Sequence, residues 1–234
     1  MTRLKEFLFK YKHAIIILYM PIYLLWFTSL EKRTNVHFTD IHCKIDDYIP
    51  FCEFFIIPYL LWFLYVAVSL VYLFFQTKHL DDFYRCCAVL LLGMTTSLLI
   101  YTIFPNQQTM RPKTFDHSNI FTTIIDILYR TDTDTNVFPS IHVFNSIAIH
   151  FGISRSYYFS NVDDVNIVKN DKKRKAIKII RLSSLILCIL ICISTLTLKQ
   201  HSFLDLVGGC VLFAFYYTII YIRPFRQTKL STDC

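Results

Sequence analysis

Six uncharged, predominantly apolar runs punctuate the chain, at 14–30, 54–75, 86–104, 137–154, 182–198 and 206–222, and the charged residues fall in the intervals between them. About 20 apolar residues carry a helix across about 30 Å of hydrocarbon. The 17-residue runs at 14–30, 182–198 and 206–222 must therefore borrow a turn from their flanks or sit thin. The pattern predicts an all-α polytopic membrane protein, a bundle of six transmembrane helices. Between the runs lie expected loops at 31–53, 76–85, 105–136 and 155–181 and a tight turn around Lys199–His201. Within the second long loop, residues 119–130 place apolar side chains on one helical stripe after Ser118, a candidate cap, which predicts a short interfacial helix roofing one end of the bundle.

Charge sets the expected orientation. With the N-terminus inside, seventeen Lys and Arg fall in cytoplasmic segments against seven outside, in line with the positive-inside bias. Both termini are then cytoplasmic, and the cell membrane is the expected location. The basic opening Met1–His13 resembles a signal peptide, but no small-x-small site follows Leu30, so 14–30 is read as a retained first helix. Lys172-Lys173-Arg174-Lys175 reads as a cytoplasmic loop beside anionic headgroups, not as a nucleic-acid site.

Composition agrees with the membrane assignment: 54% hydrophobic, 17% aromatic and 18% charged residues, four glycines and a mean hydropathy of +0.44. No linker, repeat or low-complexity tract divides residues 1–234, so a single membrane domain is expected. Of the eight cysteines, five lie in apolar runs, where a thiol packs as a small hydrophobe. Cys43 and Cys52 share the first external loop and are a candidate oxidised pair.

Three short motifs carry candidate chemistry, and all fall at the external ends of the runs. Ser140 of Pro139-Ser140-Ile141-His142 sits at the expected N-cap of the fourth helix, whose free amides point toward a phosphate oxygen. His142, in the same turn, is placed to exchange a proton near neutral pH. In His201-Ser202-Phe203-Leu204-Asp205 the carboxylate lies one helical turn beyond the histidine. There it can accept the Nδ1 proton and leave Nε2 as a nucleophile. Arg111, followed by Pro112, is a bidentate phosphate grip that cannot lose its charge, and Lys199 and Lys113 add positive charge nearby. His150, eight residues past His142, reads as a hydrogen-bonded interior residue. Glu53, Asp46 and Asp47 can pair with Lys44 or shape the entrance, Asp126 can reach a headgroup, and the tryptophans fit interfacial belts or helix packing.

The order Arg-Pro, Pro-Ser-x-His, His-x-x-x-Asp over six helices resembles the type 2 phosphatidic acid phosphatase superfamily, whose usual patterns are Lys-x6-Arg-Pro, Pro-Ser-Gly-His and Ser-Arg-x5-His-x3-Asp. The resemblance covers roughly residues 104–210. It implies that His201 is the nucleophile forming a phosphohistidine, Asp205 its orienting partner, His142 the general acid, and Arg111 and Ser140 phosphate ligands. Three positions depart from the patterns: Phe104 stands for the lysine, Ile141 for the glycine and Thr195 for the arginine. Lys199 and Lys113 are the candidates to replace the missing cations. These departures look more like the divergent branch that includes inositol phosphorylceramide synthase-like proteins.

The expected activity is that of a metal-independent lipid-phosphate phosphatase acting at the extracytoplasmic face on a lipid phosphate among membrane lipids, with no cofactor and no nucleic-acid partner. The alternative is a lipid phosphotransferase of the inositol phosphorylceramide or sphingomyelin synthase type. Two rivals come from other classes: a zinc hydrolase using His142, His201 and Asp205, and a nonenzymatic membrane protein or transporter. Few glycines and no repeat speak against the transporter. Oligomeric state and lipid identity are left open by the sequence.

Overall fold

A computed structural model describes residues 11–222. The basic opening before Tyr11 and the three cations after Ile222, on which the placement of the termini rests, lie outside the described residues. The described residues form eight helices: α1 (Tyr19–Glu31), entered through a 3-10 segment Lys12–Leu18, α2 (Ile56–Phe75), α3 (Leu80–Ile103), α4 (Ile120–Thr131), α5 (Ile141–Ser154), α6 (Tyr157–Ser160), α7 (Asp171–Thr197) and α8 (Phe203–Tyr217), which runs on as a π-helical turn to Ile222. Among the described residues, five helical segments are long and apolar enough to cross a membrane: Lys12–Glu31, Glu53–Phe75, Leu80–Ile103, Asp171–Thr197 and Phe203–Ile222. The result is an all-α integral membrane fold. Apolar side chains such as Leu25, Phe63, Leu64, Leu182 and Ile189 are exposed on the outer faces of the bundle, as hydrocarbon requires.

The fourth run departs from expectation. Its helix does not occupy 137–154 but starts at Ile141, because Ser140 is itself extended and caps the helix there, with Pro139 just before it. Fourteen residues give roughly 21 Å, short of the hydrocarbon thickness. Among the described residues five of the six expected spans thus have the length to cross, and α5 falls short of it. Instead α5 is the central post, packed against α2, α3, α7 and α8, with Val143, Phe144, Ser146 and Ile149 fully buried. Two glycines allow the close approach. A Cβ at Gly93 of α3 would lie 1.9 Å from the Phe144 ring, and one at Gly209 of α8 would lie 2.9 Å from the Ser140 carbonyl oxygen.

Two further boundaries move. The Lys172–Lys175 cluster, expected in a loop, forms the first turns of α7, because Asn170 caps it by accepting from the Lys172 and Lys173 amides and Lys and Arg favour helix. The interfacial helix α4 is present, but Asn119 rather than Ser118 caps it, through a reciprocal pair with Thr122. Its apolar face, Phe121, Ile124, Ile125 and Leu128, lies on Tyr59 and Ile56 of α2 and on Leu198.

The loops at the α4 end are stitched together. β1 (Thr39–Asp40) pairs in parallel with β2 (Asn106–Gln107) in the register Thr39 to Asn106, and Gln107 bridges to Thr135. Buried Asn106 accepts from the Val137 and Phe138 amides, which fixes the chain just before the Pro139-Ser140 motif.

Candidate active site

The turn between α7 and α8 builds one half of the site. Lys199 adopts a left-handed backbone (φ 51°), which folds the chain back so that the Gln200 and His201 amides both donate to Thr195 O at 3.0 Å. Ser202 caps α8 by accepting from Leu204 N at 3.1 Å, and Asp205 in the first turn accepts the Ser202 amide at 2.8 Å. The same carboxylate oxygen, Oδ2, lies 3.2 Å from His201 Nδ1. The pair meets across the helix start and not along one helical face, because α8 begins at Phe203 and leaves His201 just before the Ser202 cap. Asp205 is fully buried, and its Oδ1 has no partner.

The first turn of α5 builds the other half. Ser140 is fully buried; its hydroxyl accepts from Val143 N and its amide donates to Asp205 O at 3.1 Å, which ties the two helix starts together. The amides of Ile141 and His142 open that turn and have no intrahelical acceptor. His142 Nδ1 faces His201 Nε2 at 3.4 Å. Thus two motifs 59 residues apart present their imidazoles to each other. Trp62 lies against the His142 ring, centroids 4.6 Å apart.

A family model described as the PAP2 superfamily matches residues 83–229, well over half of the chain. The chain belongs to the PAP2 superfamily. No curated protein and no solved structure matches it. PAP2 proteins are phosphoesterases or phosphotransferases, so an enzyme of that kind is the reading that membership supports. The motif residues lie within the matched segment, and the structure brings His142, His201, Asp205 and Ser140 together.

The candidate cations are arranged less simply than the sequence suggests. Arg111 donates to the Tyr129, Asp132 and Thr133 carbonyls at 3.2, 2.8 and 2.7 Å and to the Gln200 side-chain oxygen, while its guanidinium lies over the Tyr129 ring. Four of its five N–H bonds are thereby spent on the end of α4 and on the α7–α8 turn. The buried Nε–H alone is without a partner. The Lys199 ammonium, expected at the phosphate, donates instead to the Asp46 and Ile49 carbonyls at 2.9 and 2.6 Å. Burial lowers its pKa from the ordinary lysine value against the pull of Asp46 and Asp47. Lys113 is exposed on the 104–119 loop.

Asp46 is the residue whose part the sequence did not show. It is 2% exposed, and its carboxylate accepts from the Ser202 hydroxyl at 2.6 Å, the Phe203 amide at 2.7 Å and the Cys43 amide at 2.8 Å. A carboxylate from a distant loop thus caps α8 where its dipole is positive. Burial works to raise the Asp46 pKa, but these hydrogen bonds outweigh it and hold the carboxyl below its ordinary value. Neither Asp46 nor Glu53 pairs with Lys44 as entertained: Glu53 binds His117 at 2.9 Å and Asp47 binds His42 at 2.8 Å. Asp126 bonds Arg130 at 2.6 Å, and Cys43 and Cys52 are free thiols. No group of three or more His, Cys, Asp or Glu among the described residues is disposed to hold a metal ion.

Proposed function

We propose that this chain is an integral membrane lipid-phosphate phosphatase that works through a phosphohistidine on His201, with its active site at the extracytoplasmic face. The observation that carries the reading is the facing pair of imidazoles with Asp205 behind one of them. Asp205 accepts the Nδ1 proton of His201, which leaves the Nε2 lone pair directed at the site. That lone pair attacks phosphorus, the P–O ester bond breaks, and His142 Nδ1 gives its proton to the departing alkoxide. Water then delivers a proton to His142 and its oxygen to phosphorus. The P–N bond breaks, inorganic phosphate leaves and His201 is restored.

A gap of 3.4 Å between the two nitrogens has no room for a phosphoryl group, so the rings part when substrate arrives. Transition-state charge falls on the Arg111 Nε–H and on the amides of Ile141 and His142 around Ser140, a helix N-terminus suited to phosphate. Lys199 contributes to this charge only at a distance, since its donors serve the 32–52 loop. The extracytoplasmic placement rests on the excess of Lys and Arg in the segments joining the opposite helix ends, eight of them between Arg155 and Arg181.

The test is phosphate release from a panel of lipid phosphates by purified protein in EDTA, together with trapping of a phosphoenzyme. We expect acid-labile, base-stable label on the wild type, and in His201→Ala no label and a loss of at least about 10³-fold in kcat/KM. Activity that survives that substitution, or that needs a divalent cation, overturns the scheme. Diversion of phosphate onto an added diacylglycerol or inositol hydroxyl moves the assignment to a lipid phosphotransferase.

A further inference from the structure

His142 does not end the chain of contacts that begins at Asp205. On its far side, Nε2 lies 3.1 Å from the Tyr59 hydroxyl, which in turn lies 2.9 Å from Asp132 Oδ2. Tyr59 is fully buried one turn into α2, and Asp132 is half-buried where α4 ends. A phenol has one proton and a carboxylate can only accept. The Tyr59 hydroxyl therefore donates to Asp132, and its oxygen accepts from His142 Nε2–H. This fixes the tautomer: the resting proton of His142 sits on Nε2, and Nδ1 faces the nucleophile.

Resting on the phosphatase reading above, we propose that Tyr59 and Asp132 are the positioning arm of the general acid. They hold His142 so that a second proton lands on Nδ1, where the leaving oxygen needs it, and they offset the imidazolium charge through the phenol. Each imidazole then has its own carboxylate, Asp205 directly on His201 and Asp132 one hydroxyl removed from His142. The interposed phenol matters because the two histidines have opposite tasks. A carboxylate in direct contact makes a base or nucleophile, whereas a neutral hydroxyl lets the acid surrender its proton.

The other groups around His142 are accounted for. From α2 come Tyr59 and Trp62, and from the end of α4 comes Asp132, whose own carbonyl is held by Arg111 at 2.8 Å. From the α7–α8 turn come His201 and Gln200, the latter accepting from Arg111, and from α8 comes Asp205, behind His201. Among the described residues Asp132 is thus the one carboxylate on the Nε2 side, with Arg111 fixing its position. Neither Tyr59 nor Asp132 belongs to the three motifs, and Tyr59 precedes the matched segment altogether.

Tyr59→Phe keeps the ring and removes the link; Asp132→Asn removes the charge at a half-exposed helix end and serves if the first variant fails to fold. For a lipid phosphate with a poor alkoxide leaving group, both should lower kcat about tenfold with KM little changed. The alkaline limb of the pH profile, which reports loss of the His142 proton, should move to lower pH by about one unit. An aryl phosphate whose leaving group needs no proton should lose less than about threefold. The double variant should be no worse than the poorer single variant, because both act through one chain. Histidine ¹⁵N NMR of the detergent-solubilised protein should find His142 protonated on Nε2 in the wild type and a mixture of tautomers in Tyr59→Phe.

An unchanged pH profile, equal losses on both leaving groups, multiplicative losses in the double variant or an unchanged tautomer each overturn the proposal. The tautomer measurement needs no turnover. If it comes out as expected while the wild type releases no phosphate from any substrate, the phosphatase reading has failed and the arm remains as a structural feature without the acid role.

Discussion

α5 carries two histidines two turns apart, and their surroundings have little in common. Each ring nitrogen of His142 has a partner, Nδ1 the His201 ring and Nε2 the Tyr59 hydroxyl, and aromatic walls come from Tyr59 and Trp62. His150 makes its hydrogen bond to the Ser184 hydroxyl at 3.0 Å, as the sequence led one to expect, and Ser184 is itself engaged by Tyr65 at 2.7 Å. It lines a cavity of about 590 Å³ with Arg155, Lys178 and Arg181. The carboxylate there, Asp163, is taken by Lys178 at 2.6 Å. On the proposed mechanism, reactivity along this helix is set by what the second ring nitrogen meets. A histidine backed by a carboxylate relay can cycle a proton, and one backed by a serine among cations is a packing residue with a polar edge.

The sharpest way to break the comparison is to remove each ring. His142→Ala should cost about 10²–10⁴ in kcat/KM while His150→Ala changes it less than about twofold; comparable losses would mean that position along α5 does not assign the role. The cations offer the next contrast. Arg111→Gln should cost about 10²-fold, as loss of a transition-state donor does, and Lys199→Met less than about threefold, since its ammonium is occupied by loop carbonyls. A larger loss in the lysine variant would return Lys199 to the phosphate.

Two glycines sharpen the contrast through packing. Ala at Gly209 meets Ser140 O at 2.9 Å and Ala at Gly152 meets Cys86 Sγ at 2.6 Å. Overpacking costs about 1–3 kcal/mol in either case, read as a fall in melting temperature. Only Gly209→Ala should also lower turnover, because it pushes the first turn of α5 away from α8. Equal effects on turnover would show that the two ends are mechanically coupled.

The smallest effect is expected at Asp46. Its carboxyl is held below the ordinary value, so the stability it adds is fully present above the unfolded pKa of about 4 and is lost as pH falls through the lower folded value. Asp46→Asn should destabilise the protein by about 1–2 kcal/mol at neutral pH and flatten that acid loss in a stability-against-pH series. A variant that loses stability with acid as steeply as the wild type would show that another group carries the effect.

What the sequence revealed and what it hid separate along physical lines. Apolar run length and helix spacing are local, so five of the segments, the pairing of His201 with Asp205 and the Ser140 cap were legible. The α5 start was less so, because hydropathy continues through Val137 and Phe138 although the backbone does not. Tyr59 looks like any aromatic in an apolar run, and nothing periodic marks its hydroxyl as reaching Asp132, 73 residues on. Arg111 was identified as a cation at the right end, but how many of its donors are already spent is a property of folded neighbours.

The cap that Asp46 places on α8 has a consequence for how the protein is made. Its acceptors wait 157 residues upstream of the Phe203 amide they receive, so the nascent chain carries the finished latch long before there is anything to fasten. His201 is set against Asp205 and His142 only when the last helix is threaded into the bundle. Until then a partly inserted chain holds its histidines apart, so the facing imidazoles are a property of the completed bundle alone.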